Sequence, residues 1–272
     1  MPDLAMLLPM IALLLAIGAF AGVIAGLLGV GGGIVLVPAF FYMFGHLGYA
    51  GPHLMQVCLA TSLATIMATS MRSVMAHHRK GAVDWAVLRS WAPWIVLGAI
   101  AGVFVAASLR SSTLTAVFGT LAMMAGLYMA FGRDAWRLGP TMPAQPVRGI
   151  LATTIGFLSV LMGIGGGTFG VPLMSLYNVP IHRAVATASG FGMVIAVPSV
   201  IGFLFLSVEQ APPYTVGAIN LPAFLVVIAT TLIATPWGVR LAHSMNPKPL
   251  KRAFAVFLVL VALNMLRKVA GW

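Results

Sequence analysis

Long apolar runs broken by short polar stretches recur along the whole chain. Hydropathy places them at residues 6–28, 34–46, 56–77, 86–108, 112–131, 149–164, 168–178, 184–207, 221–243 and 250–268. A helix crossing a hydrocarbon layer of roughly 30 Å needs about 20 residues at about 1.5 Å each. Residues 34–45 and 168–177 fall short and read as half-helices that end inside the layer. Lipid offers backbone N–H and C=O groups no partners, so such segments must bond internally as helices. The pattern therefore predicts an all-α integral membrane fold of about ten transmembrane or half-membrane helices.

Composition strengthens this reading. Of 272 residues, 61% are hydrophobic and 7% charged, too little polar surface to cover a soluble domain. No stretch is left for a sizeable extramembrane unit, so one membrane domain is expected. The most polar segment, residues 133–148, carries three prolines and three arginines and reads as a linker between a first unit, 1–132, and a second, 149–272.

The net charge of +11 does not point to nucleic acid, because the basic residues gather in short loops rather than on one solvated face. Twelve of the fifteen lie between Arg72 and Arg89, between Arg133 and Arg148, at Arg183, or between Arg240 and Arg252. Assigning these loops to the cytoplasm puts the linker inside and both termini outside. Cys58 is the only cysteine, which excludes an intramolecular disulfide and any cysteine-based metal cluster. The N-terminus has no basic n-region, so the first apolar run is expected to stay as a helix.

The two units match each other. GVGGGIVLVP at residues 29–38 agrees with GIGGGTFGVP at 163–172 in six of ten positions, at an offset of 134. Farther on, Thr61 falls on Thr187, Met67 on Met193, Asp84 on Asn220, Gly102 on Gly238 and Phe118 on Phe254. Five apolar segments per unit make the second copy enter the membrane from the opposite face, so the repeat is expected to be inverted, as in many secondary transporters.

Each glycine cluster delivers the chain to the start of a half-helix, where forward-pointing amides and about half a positive charge favour an anion. Pro38 and Pro172 lack an amide proton and crowd the carbonyls of Ile34 and Thr168, which distorts the first turns. The candidate substrate site is accordingly Gly31, Gly32, Gly33, Thr61 and Ser62 in the first unit and Gly165, Gly166, Gly167, Thr187 and Ser189 in the second. Glycine clusters also allow close helix packing, and hydroxyls also bond carbonyls of their own helix; both readings stay open here. Arg72 and Arg240, near the inner ends of apolar segments, are either snorkelling residues or a gate. His77 and His78, beside Arg79 and Lys80, read as a solvated cytoplasmic edge, and His182 and His243 as interfacial packing.

The glycine clusters lack the Gly-Lys-Ser/Thr of a phosphate-binding loop and the strand-turn-helix context of a dinucleotide site. Asp3, Asp84, Asp134 and Glu209 sit at predicted ends or loops, and no paired acid and base or metal cluster lies in the apolar core. Neither an enzyme nor a cofactor is expected. A membrane scaffold is a weaker alternative.

GLLGVGGGIVLVP at 26–38, GIGGGTFGVP at 163–172, the Ala-Thr-Ser at 60–62 and HHRKGAVDW at 77–85 together resemble the TauE/SafE sulfite exporter family over nearly the whole chain. The resemblance implies a transporter that moves small sulfur-containing anions, of the sulfite, sulfoacetate or sulfonate class, across the bacterial inner membrane. The two repeats around a midplane site lead to the expectation of a secondary transporter for such a sulfur-containing or organic anion that works by alternating access, in the export direction. A passive anion or solute channel is the alternative. The second unit departs from the family's pattern at Ala186-Thr187-Ala188-Ser189. Coupling ion and oligomeric state, a homo-oligomer included, stay open.

Overall fold

Each apolar segment forms one helix, because in an apolar surrounding the i to i−4 ladder is the only local way to satisfy the backbone. A computed structural model describes residues 4–49, 51–132, 136–244 and 247–271. Among them, the first unit forms α1 (Leu4–Leu28), α2 (Gly33–His46), α3 (Leu54–His78), α4 (Trp85–Ser108) and α5 (Ser111–Phe131). The second forms α6 (Val147–Leu161), α7 (Gly167–Leu176), α8 (Ile181–Leu204), α9 (Leu221–Ser244) and α10 (Pro247–Val269). Arg133 and Asp134 of the linker and Asp3 lie outside the described residues.

Six helices, α1, α3, α4, α5, α8 and α9, are long and apolar enough to cross a membrane. The predicted half-helices are present, with 14 residues in α2 and 10 in α7. The segment expected at 149–164 ends early: α6 stops at Leu161 after 15 residues, because the chain must already turn toward the second glycine cluster. Two-residue strands β1 (Thr215–Val216) and β2 (Ile219–Asn220) pair antiparallel, with Thr215 opposite Asn220, and lead into α9.

Small residues set the packing. Along α1, Gly18, Gly22 and Gly26 lie against Val227, Thr231 and Thr235 of α9, so these two helices run parallel. Along α4, Trp94 lies against Gly149 of α6, Gly98 against Thr153 and Gly102 against Val160, so this pair is parallel too. Gly119 and Gly126 of α5 meet Ala262 and Ala255 of α10, an antiparallel crossing. The buried helices α3 and α8 pack on each other at the centre, α3 also on α9 and α8 also on α4. Replacing every helix by the one five later maps this set of pairs onto itself.

The half-helices rest on the centre, α2 against α3 and α7 against α8. The core they share includes Ile34, Phe40, Leu59, Leu63, Ile66, Phe191 and Ile195. Cys58 is fully buried within it, as a small apolar side chain.

Candidate functional site

The two glycine turns meet backbone to backbone at the middle of the bundle. Gly31 and Gly32 adopt φ of 76° and 79°, a left-handed conformation that side-chain-bearing residues rarely take. The chain leaving α1 thereby folds back to start α2 beside Ser62 and Ile66. A Cβ at Gly33 would strike the carbonyl of Gly163, and one at Gly167 the carbonyl of Gly29, so each turn occupies the space the other leaves. The Gly165 amide donates to the Val30 carbonyl at 3.1 Å, and the Ser62 hydroxyl donates to the Gly163 carbonyl at 2.7 Å.

Two threonines singled out from sequence hold helix starts across the units. Thr61 Oγ1 accepts from the Asn220 amide at 3.0 Å, and Thr187 Oγ1 accepts from the Asp84 amide at 2.9 Å. Asn220 Oδ1 in turn accepts from the Ala223 amide at the start of α9, and Asp84 Oδ1 from the Val87 amide at the start of α4. Each unit thus holds the cap residue of a helix in the other through matched positions. Thr61→Val and Thr187→Val are each expected to lower stability by about 0.5–2 kcal/mol, read as earlier thermal unfolding of the detergent-solubilised protein.

A cavity of about 410 Å³ lies on the side of the bundle where α5 runs into the linker. One face of α7 lines it through Gly167, Thr168, Val171, Pro172, Ser175 and Leu176. Facing it are Leu27 and Leu28 at the end of α1 and Val30 after it, Tyr128 and Met129 of α5, Trp136 and Arg137 of the linker, and Val185 of α8. The cavity reaches from the linker face to the N-terminal turn of α7, whose cap position is Gly166, with no side chain to satisfy the first amides. Thr168, 5% exposed, and Ser175 carry buried hydroxyls with no hydrogen-bond partner among the described residues. A buried hydroxyl without a partner costs about 1–3 kcal/mol, and here two belong to cavity-lining residues of one short helix.

Three histidines complete the lining: His77 from the end of α3, His182 from the start of α8 and His243 from the end of α9. His77 is not part of a solvated edge. It is 1% exposed, because α1 and α9 close over it, and its Nε2 lies 3.2 Å from the Gly26 carbonyl. Its Nδ1 lies 3.2 Å from Nε2 of His243, on which His182 stacks at 5.7 Å. His78 is exposed, and its Nδ1 accepts from the Trp85 indole.

Of the ten residues predicted to bind substrate, Gly167 lines the cavity and the other nine are not among its lining residues. Gly31 and Gly32 pack against Ile66 and Ala21, Gly166 against Phe191, and Ser189 donates to the Ala186 carbonyl of its own helix. Arg72 and Arg240 are exposed; Arg240 stacks on Trp237 at 5.5 Å, and neither reaches the cavity. Sequence reasoning passed over Thr168 and Ser175, although both lie directly in or after the second glycine motif at helical spacing. It also passed over the convergence of the histidines, which are 61 or more residues apart along the chain.

A helical bundle of this kind, with six membrane-length apolar helices among the described residues, defines a multi-pass membrane protein. The sequence profile of the sulfite exporter TauE/SafE family matches residues 14–265. The chain belongs to that family. It is 33% identical over 263 residues to a probable membrane transporter protein of Haemophilus influenzae, covering 95% of this chain and 98% of that one. A probable membrane transporter protein of Methanocaldococcus jannaschii is 25% identical over 255 residues, covering 93% of this chain and 94% of its own. No solved structure matches the chain.

Proposed function

We propose that the protein moves a small sulfur-containing or organic anion across the bacterial inner membrane by alternating access, in the export direction. The observation that carries this reading is the cavity on α7: a mostly apolar hollow that ends at helix-start amides no side chain caps, with Thr168 and Ser175, whose hydroxyls have no partner, among its lining residues. All of these groups donate hydrogen bonds without bringing a counter-charge, and the helix dipole favours a negative ligand. A sulfonate or sulfite headgroup, with oxygens on several sides, fits such donors.

The matched position in the other unit carries different side chains. The residue corresponding to Ser175 is Phe41, and that corresponding to Gly132 is Lys268; Lys268 Nζ sits 4.6 Å above the Phe41 ring. Alternating access requires two related units to expose their half-sites in turn, and the different side chains at these positions let the two half-sites differ. The parallel pairs α1–α9 and α4–α6, exchanged by the five-helix shift, favour an inverted repeat with the interlocked glycine turns as its pivot. Under that topology the linker is cytoplasmic and both termini are outside.

Labelled sulfite loaded into proteoliposomes tests the carrier. Saturable efflux that is accelerated by unlabelled sulfite on the opposite side is expected. Ohmic conductance without such counterflow would replace the carrier by a channel.

A further inference from the structure

The hydrogen bonds of the histidine cluster fix where protons sit. The Gly26 carbonyl can only accept, so Nε2 of His77 carries the hydrogen and its Nδ1 is a lone pair. That lone pair needs a donor, so Nε2 of His243 carries a hydrogen directed at His77. In the neutral cluster, Nδ1 of His243 is therefore left as a lone pair. A proton added there keeps both existing hydrogen bonds, whereas one added to His77 Nδ1 would confront the His243 N–H. The geometry holds one imidazole in a single tautomer and prepares the next to become a cation.

The surroundings favour a charge pair with an anion. The groups around His243 are His77 from α3, His182 from α8, Lys80 from the turn between α3 and α4, and Arg240 farther along α9, stacked on Trp237. Arg183, next to His182, is engaged at 3.3 Å by Asp84, and α1 contributes only the Gly26 carbonyl. Arg137 lies on the cavity wall from the linker, and no carboxylate lies among the described lining residues. A proton on His243 thus has no acidic neighbour in the cavity to stabilise it. An arriving anion would supply that partner, and by linkage the proton would strengthen the anion's binding by the same factor.

We propose that His77, His182 and His243 form a subsite at the linker-side end of the cavity that binds the anion together with one proton, taken from solvent onto Nδ1 of His243. This rests on the reading of the cavity as an anion pathway. It adds a second station beside the α7 tip, and makes capture on the linker side stronger as that side becomes more acidic.

Thiosulfate is a suitable probe, because it keeps its charge across the pH range in which imidazole titrates. Its affinity for the purified protein in detergent should weaken as pH rises through that range, by up to about tenfold per unit. Adding thiosulfate to weakly buffered wild-type protein should take up close to one proton per site, which a pH indicator reads without any variant. His243→Gln should flatten the pH dependence, and His182→Gln should weaken binding at acid pH. His46→Gln, at the opposite end of the bundle, should leave the dependence unchanged. Affinity that ignores pH in the wild type, or an unchanged slope in His243→Gln, would overturn the subsite while leaving the α7 site standing. Absence of binding at every pH by thiosulfate, sulfite and sulfoacetate would overturn both.

Discussion

Replacing Gly33 by alanine is expected to destabilise the protein by about 2–4 kcal/mol, and replacing it by leucine to leave no monodisperse protein at all. An added Cβ at Gly33 runs into the Gly163 carbonyl, with Ile66 Cδ1 at 2.7 Å and the Ser62 hydroxyl at 2.9 Å closing the other sides. A flexible side-chain tip would move aside at little cost, but a backbone carbonyl in the opposing turn moves only if that turn moves. Ser62 donates to the same carbonyl, so displacing it also breaks a buried hydrogen bond. Gly45 is the internal control. It lies in the same helix with nothing nearer than Lys268 Nζ at 3.8 Å, and Gly45→Ala should be neutral or gain up to about 1 kcal/mol from helix propensity. Thermal unfolding followed by size-exclusion chromatography separates the two outcomes. Equal tolerance at both positions would mean that the turns do not interlock.

The second large effect is expected at Thr168 and Ser175, where stability and function should part. Their hydroxyls are buried without a partner, so Thr168→Val and Ser175→Ala remove a polar group that folding leaves unsatisfied. Stability should stay level or rise slightly. If the same hydroxyls donate to the transported anion, each substitution removes a hydrogen bond to a charged group, about 1.5–3 kcal/mol, or roughly 10- to 150-fold in apparent affinity. Sulfite efflux from proteoliposomes, measured against concentration, should show KM raised by that order in either variant. Unchanged KM in both, with intact folding, would remove α7 from the pathway. The contrast with Thr61 and Thr187 is instructive, since those hydroxyls do have partners and their loss should appear in stability.

Gly33 and Thr168 also mark the difference between two kinds of residue in a repeated motif. The glycines are needed at the same place in both units because two backbones approach each other there, a demand that leaves its trace in sequence as GGG twice over. Thr168 corresponds to Ile34, which is fully buried in the core. The units therefore share their scaffold and differ in the residue that faces the cavity. Where the first unit has an apolar side chain in the core, the second has a hydroxyl-bearing residue beside the cavity.

Much of the architecture is legible in the chain itself. Bilayer thickness and the need to satisfy the backbone translate directly into run length, so hydropathy located ten helices and marked the runs at α2 and α7 as too short to span. The internal match between Asp84 and Asn220, and between Thr61 and Thr187, was visible as well, but not what it meant. Those pairs bond crosswise, each threonine to the cap residue of the other unit, and no comparison of like with like reveals a contact between unlike positions.

By itself, then, the sequence determined that this is an all-α membrane protein of about ten helices with glycine turns ahead of two short ones, because those properties depend on local length, polarity and periodicity. Only the tertiary structure decided which turn borders a cavity, that most of the expected hydroxyl ligands are spent on capping and packing, and that His77, His182 and His243 meet. The reason is physical. Whether a polar group is free for a ligand depends on whether a neighbour from a distant helix has already taken its hydrogen bond, and the order of residues along the chain does not contain that information.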